Sequence, residues 1–262
     1  MRILVTGSAR AIGRSTAEVL ASRGHHVIAT ARDVSMLDDL AVAQRLALDV
    51  TDAKSIAAAL SNAGEIDAIV NNAALDGSGP MESFSLDRLR AMFETNTIGA
   101  VAVVQQVAEQ WRTRGSGVIV NVSSVQGQVA SPLGGAYSAT KYALEALSET
   151  LHYELGHFGI RVVIVEPGYI APGMKQSYQE PGPSAYDALR EQWDGIDSKM
   201  VGPGGRPGPE LVGNAIADAI ENPDTPLRVR VGADAELILG VRKQLDDADF
   251  ESTMRATIGL TW

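Results

Sequence analysis

Ile3-Leu4-Val5-Thr6-Gly7-Ser8-Ala9-Arg10-Ala11-Ile12-Gly13 decides the fold of this chain. An apolar, partly β-branched run ends in a turn of small residues, and the turn feeds a helical pattern over residues 11–23. Glycines in such a turn permit a tight reversal and let backbone N–H groups approach a phosphate at the helix N-terminus. Alanine stands at position 11. It fits the turn if its φ stays negative, although its methyl crowds the approach to phosphate.

Outward from this turn, short β-branched runs alternate with longer amphipathic segments. Strands are predicted at 3–6, 26–31, 45–48, 68–70, 118–122, 161–165 and 227–231, and helices near 11–23, 52–63, 85–113, 136–156 and 208–222. Alternation at this spacing predicts βαβ units: an α/β fold with a doubly wound, mostly parallel sheet, in a single domain over residues 1–262. Ligands of such sheets sit beyond the carboxyl ends of the strands. Those ends read Thr6-Gly7, Asp49-Val50, Asn71-Asn72, Ser123-Ser124 and Pro167-Gly168, all small, polar or turn-forming. Residues 171–209 break the rhythm with six of the eleven prolines and with Met174, Tyr178, Tyr186, Trp193 and Met200. That composition predicts a long irregular segment serving as a lid over an apolar substrate.

Tyr137 and Lys141 lie four apart in a predicted helix and so share one face. A phenol is a poor acid at neutral pH. A neighbouring ammonium stabilises the phenolate and brings its pKa toward the range where proton transfer is efficient. Ser124, thirteen residues upstream, offers a hydroxyl to hold a carbonyl oxygen during that transfer. Alone, Ser124 reads equally as a strand-end cap, and the Tyr–Lys pair as a helix-surface contact. Leu144, Leu147, Leu151 and Leu155 follow at helical spacing and are predicted to face the core.

The net charge of −10 leaves no basic stripe for nucleic acid or an anionic membrane. Cysteine is absent, which removes disulfides, thiolate nucleophiles and Cys-based zinc sites. None of His25, His26, His152 and His157 has the i,i+4 partner of a helical metal site, so no metal is expected. The first apolar run is too short for a signal peptide and no stretch reaches transmembrane length. A cytoplasmic protein is expected.

Taken together, residues 1–170 resemble the short-chain dehydrogenase/reductase family, including its hydroxysteroid- and retinol-dehydrogenase-like members. The family's TGxxxGxG motif is similar to Thr6–Gly13 with Ala11 as a departure, and its NNAG motif to Asn71-Asn72-Ala73-Ala74, where alanine ends the motif. The resemblance implies a catalytic set of Asn96, Ser124, Tyr137 and Lys141, with Asn96 holding a water in a proton relay behind Lys141. It implies cofactor contacts from Gly7, Ser8, Arg10, Ile12, Gly13, Arg32, Asp49, Val50, Asn72, Pro167, Gly168 and Ile170, and from Tyr137 and Lys141. Pro172 stands where many members carry a threonine that contacts the carboxamide. The acidic residue that receives a ribose 2′-OH falls on Ala31, while Arg10 and Arg32 resemble the basic positions of NADP-preferring members. The expected activity is NADP(H)-dependent interconversion of a ketone and a secondary alcohol on a small to medium apolar molecule. A homodimer or homotetramer is expected by the same resemblance. A non-catalytic nucleotide sensor would lose the tyrosine or the lysine, and both are present. An epimerase or dehydratase on this fold would keep the set, and only turnover separates it.

Overall fold

A computed structural model describes residues 1–173, 179–194 and 205–262. Seven parallel strands form one sheet: β1 (Arg2–Val5), β2 (His26–Ala31), β3 (Gln44–Ala47), β4 (Ala68–Asn71), β5 (Gly117–Val122), β6 (Ile160–Pro167) and β7 (Arg228–Val231). Their order is β3-β2-β1-β4-β5-β6-β7. The chain winds from β1 out to β3 and returns to place β4 on the other side of β1, paired Ile3 to Ala68 and Val5 to Val70. The reversal of strand order between β1 and β4 opens a crevice at their carboxyl ends.

Side chains of β1 alternate between two cores because successive strand residues point to opposite faces. Ile3 and Val5 pack with Leu20 of α1 (Ala11–Ser22) and with Val212, Ile216 and Ile220 of the helix Glu210–Glu221. Leu4 packs on the other face with Ile56 of α2 (Ala53–Ala63) and with Val103, Val107 and Trp111 of the helix Gly99–Arg114. Ile3, Leu4 and Val5 are fully buried, so β1 reads as an uninterrupted apolar run.

The predicted strands all form, with ends shifted by at most two residues. The helix predicted at 85–113 is divided: α3 (Leu86–Phe93) and α4 (Gly99–Arg114) are joined by a π-turn at Glu94–Ile98, closed by Gly99 N–H donating to the Glu94 carbonyl. Such a turn inserts one extra residue per turn and often marks a functional position. α5 (Gly135–Gly156) carries Tyr137 and Lys141. Of its leucine stripe, Leu144 and Leu155 are buried, whereas Leu147 is 39% exposed and leaves the expected core.

Residues 171–209 are not wholly irregular. They hold a short 3₁₀ turn at Ser184–Tyr186 and α6 (Asp187–Asp194). Met174, Tyr178 and Met200 lie outside the described residues. α7 (Glu210–Glu221) was predicted, while α8 (Ala233–Arg242) and α9 (Asp247–Ile258) were not. No helix among the described residues is long and apolar enough to cross a membrane.

Candidate active site

The turn after β1 is held by two side chains. Thr6 Oγ1 donates to the Val70 carbonyl at 3.3 Å and accepts the N–H groups of Asn72 and Ala73, each at 3.0 Å. The Asn72 amide donates to the carbonyls of Thr6 and Gly7 at 3.0 and 3.1 Å. Gly7 has φ +68°, a conformation that glycine adopts without a Cβ clash. A Cβ at Gly13 would lie 2.2 Å from the Gly7 carbonyl oxygen, so the turn closes on α1 only because position 13 is glycine. Ala11 was expected to keep a negative φ. It takes +45° instead, which costs a non-glycine residue about 1 kcal/mol.

α1 begins without a side-chain cap on its first amides. Four N–H groups at a helix start lack intrahelical acceptors and sit at the positive end of the macrodipole. These residues line a cleft of about 1330 Å³ that also reaches Arg32 and Met36 at one end and Tyr137 and Trp193 at the other. Open amides at one glycine-packed helix start, and a long groove past six strand ends, fit a dinucleotide.

The structure brings Gly7, Arg10, Ile12, Gly13, Arg32, Asp49, Val50, Asn72, Ser124, Tyr137, Lys141, Pro167, Gly168 and Ile170 to this cleft. It does not bring Ser8 there: that residue is fully buried, its hydroxyl donating to the Val5 carbonyl at 2.8 Å and accepting Thr30 N–H at 3.3 Å. Asn96 also stands behind the cleft wall, 1% exposed. Its Oδ1 accepts Leu75 N–H at 2.7 Å, and its Nδ2 donates to the Leu75 carbonyl at 2.9 Å and to Thr140 Oγ1 at 3.0 Å. The whole side-chain amide thus braces the loop after β4 against α5, and only the main chain at Asn96 is left for the expected water relay.

At the far end Arg10 and Arg32 are exposed, and neither forms an ion pair among the described residues. Their neighbour Arg14 differs, reaching Glu18 at 3.0 Å and Asp39 at 2.9 Å. Asp33 Oδ1 accepts both the N–H and the hydroxyl of Ser35, at 3.0 and 2.6 Å, and caps the 3₁₀ turn Val34–Leu37. These bonds, the hydroxyl's first, hold its carboxyl below the usual range.

At the other end Ser124 terminates β5 in extended backbone, and its Oγ accepts Gln126 N–H at 3.1 Å. It is a strand-end cap and also a cleft-facing hydroxyl. Lys141 is buried, with Nζ donating to the Val122 carbonyl at 2.6 Å and lying 5.6 Å from the centre of the Tyr137 ring. Burial pulls its pKa down to about 8, against the charge of Glu145 one turn further along α5. The expected lowering of the Tyr137 pKa is not found. Burial and then the Asp76 carboxylate push the phenol up, and the Ser124 hydroxyl pulls only weakly the other way. In the free protein the tyrosine therefore holds its proton.

Three further features carry no local sequence signal. Asp234, in the first turn of α8, accepts Tyr169 N–H at 2.6 Å and packs where a Cβ on Gly168 would sit, 2.2 Å away. It fixes the Pro167-Gly168-Tyr169 turn from a helix 65 positions later. Beneath Lys141, Glu145 and Glu166 are buried and share Arg228, at 3.0 and 3.4 Å. α6 is tied to the C-terminal residues through Gln192, whose side chain accepts Thr261 N–H at 3.0 Å and donates to the Thr261 hydroxyl at 3.2 Å.

The short chain dehydrogenase family model matches residues 1–182. An uncharacterized oxidoreductase of Schizosaccharomyces pombe is 32% identical over 241 residues, covering 88% of this chain and 98% of its own. Among solved structures, a short-chain dehydrogenase from Streptomyces avermitilis is 35% identical with a TM-score of 0.82, covering 97% of each chain. A short chain dehydrogenase from Burkholderia cenocepacia in complex with NADP is 26% identical with a TM-score of 0.78, covering 100% of this chain and 98% of that one.

Proposed function

Because the chain belongs to the short-chain dehydrogenase family of oxidoreductases, we propose that it reduces a ketone to a secondary alcohol with NADPH, and runs the reverse reaction with NADP⁺. The observation that carries this reading is the convergence of Ser124, Tyr137 and Lys141 on the end of the cleft beside the Pro167–Gly168 turn.

Bound nicotinamide supplies or accepts the hydride. In reduction the Tyr137 hydroxyl donates its proton to the carbonyl oxygen. The phenol of the free protein holds its proton at neutral pH and so has one to give. Ser124 donates a hydrogen bond to the same oxygen as negative charge develops there. Lys141 stabilises the tyrosinate left behind, and solvent returns the proton. Asn96 acts as a positioning residue through Leu75 and Thr140.

The preference for the 2′-phosphorylated cofactor rests on Arg10 and Arg32 at the cleft edge, where guanidinium groups bind phosphate through several donors. Ala31 closes β2 where an acid would repel that phosphate, and the Asp33 carboxylate is drawn toward Ser35. Segment 171–209 serves as the substrate lid, with Trp193 as one wall of the cleft. Tyr142 and Leu147 on α5 and Ile98 beside α4 are apolar side chains 39–50% exposed, available for burial in a homodimer or homotetramer. Work in the cytoplasm is consistent with the nicotinamide chemistry.

The test is a panel of ketones and alcohols with both cofactors, followed by nicotinamide absorbance. NADPH is expected to exceed NADH at least about tenfold in kcat/KM, and Arg32→Ala to raise KM for NADPH with little effect for NADH. Tyr137→Phe keeps the ring and removes the proton, and should lower kcat by about 10²–10⁴ while leaving cofactor affinity within a few-fold. A Tyr137→Phe enzyme retaining more than about a tenth of wild-type kcat refutes the acid assignment.

A further inference from the structure

The ammonium of Lys141 is buried and has one acceptor among the described residues, the Val122 carbonyl at 2.6 Å. Val122 closes β5 and Ser123 follows it. Against this same strand end packs a buried carboxylate. Glu145 stands four residues after Lys141 in α5, on the same helix face. A Cβ on Gly127 would lie 2.5 Å from Ser123 Oγ and 3.0 Å from Glu145 Oε1, so the bare glycine leaves room for the carboxylate beside Ser123. Its Oε2 is fixed from β7, where Arg228 Nε donates at 3.1 Å and Nη2 lies at 3.0 Å. None of Glu145, Glu166 and Arg228 lines the cleft.

Among the described residues the charged groups facing Glu145 are Lys141 and Glu149 from α5, Glu166 from β6 and Arg228 from β7. Arg230, also on β7, acts on Glu166. Burial raises the Glu145 carboxyl, with Ser123 and Arg228 pulling against it. Burial drives Lys141 the other way, toward the neutral amine, and the Glu145 charge opposes that loss. A charge taken out of water persists only where a partner replaces the lost hydration. We propose that Glu145, clamped by Arg228, is a positioning residue for the lysine charge: it keeps Lys141 an ammonium and thereby sets the alkaline limit of turnover, without touching substrate or cofactor. Its effect on turnover rests on the oxidoreductase reading above, in which that ammonium stabilises the tyrosinate, whereas its hold on Lys141 stands without it.

The chain has five lysines, so carbon-13 labelling at lysine Cε gives few signals, and Lys141→Arg identifies the one to follow. In wild type this signal should titrate near pH 8. Glu145→Gln keeps an acceptor for Arg228 and removes the charge, and should move the titration down by about one pH unit. Glu166 ionises more readily once Glu145 is neutral, so the double variant Glu145→Gln/Glu166→Gln should move it at least as far. Glu149→Gln removes an exposed carboxylate on the same arginine and should leave it within about 0.3 unit. For ketone reduction with NADPH, kcat/KM should fall above about pH 8 in wild type and above about pH 7 in Glu145→Gln, with the two enzymes alike at pH 6; Glu145→Asp, which restores the charge, should recover the wild-type limb. A purely structural role lowers turnover at every pH and leaves the limb in place. An unmoved lysine titration in both glutamine variants overturns the proposal, as does a Glu149→Gln shift equal to that of Glu145→Gln. A wild-type Lys141 already neutral at pH 7 overturns it without any variant. The expected lysine shift with no reduction of any ketone supports the hold of Glu145 on Lys141 and instead sinks the oxidoreductase reading.

Discussion

Replacing Glu166 by glutamine should stabilise the protein at pH 8 and do little at pH 5. Glu166 is fully buried at the end of β6, beside buried Glu145, and its pKa is pushed up to about 7, first by burial and then by the Glu145 charge. Its Oε1 accepts from Gln128 and faces Arg228 at 3.4 Å, while Oε2 has no partner among the described residues. The unfolded carboxyl titrates near 4.5, so between about 4.5 and 7 the folded state binds a proton that the unfolded state has released. Stability from this group is therefore complete below the unfolded pKa and is lost as pH rises through 7. At full value the shift corresponds to roughly 3 kcal/mol. Arg228 on the solvent side is 27% exposed, and screening through it reduces the figure to about 1–2 kcal/mol. Glutamine keeps the acceptor for Gln128 and removes the charge, and Arg228 retains Glu145 and Glu149. Thermal unfolding from pH 5 to pH 8 should show Glu166→Gln melting about 3–6 °C above wild type at pH 8, with the curves converging toward pH 5. Parallel curves, or a variant that melts lower at pH 8, would show that Glu166 is ionised in the fold and held by Arg228.

Two other outcomes are expected. Ala11→Gly relieves a φ of +45°, a gain of about 1 kcal/mol, but enlarges the unfolded ensemble by about 0.4–1 kcal/mol; thermal midpoint should move by less than about 3 °C, while NADPH affinity by fluorescence titration rises as the methyl leaves the turn. A fall in stability beyond about 1 kcal/mol would show that no strain resides at Ala11. Gln192→Ala cuts both bonds to Thr261 and should speed hydrogen exchange in Asp187–Asp194, with cofactor and substrate together slowing it again as the lid orders; equal exchange in all states would argue for a fixed wall.

The alternation of strands and helices was legible because the periodicities that specify it are local. Ile3, Leu4 and Val5 are apolar in succession since both sheet faces are covered, and the turn residues after each strand announce the crossovers. The π-turn left no such trace. Residues 94–98 lie inside a longer helical pattern, although Thr95, Asn96, Thr97 and Ile98 are weaker helix formers, and the interruption goes with an Asn96 amide bonded to Leu75, 21 positions earlier, and to Thr140, 44 positions later. α6 was hidden for the opposite reason: its eight residues stand among prolines, with only Leu189 buried.

At the candidate site, residues whose backbone carries the argument were the ones a motif could find. Gly7 and Gly13 are readable because a positive φ and a 2.2 Å approach each demand the absence of a Cβ. Ser8 belongs to the same motif and turns inward, since its hydroxyl bonds the Val5 carbonyl and the Thr30 N–H before it can serve a ligand. Membership in a motif thus assigns a backbone path and leaves each side chain's direction to its neighbours. Asp76 and Asp234 show the converse. Neither lies in a recognised pattern, yet the charge of one reaches the Tyr137 phenol and the other holds the Pro167–Tyr169 turn, because tertiary packing brings them there. On the proposed reading the acid–base pair follows the local spacing of Tyr137 and Lys141, whereas burial and the Asp76 carboxylate, 61 positions before the tyrosine, raise the phenol pKa. Chains that share the spacing can therefore differ in the acidity of this phenol when position 76 changes.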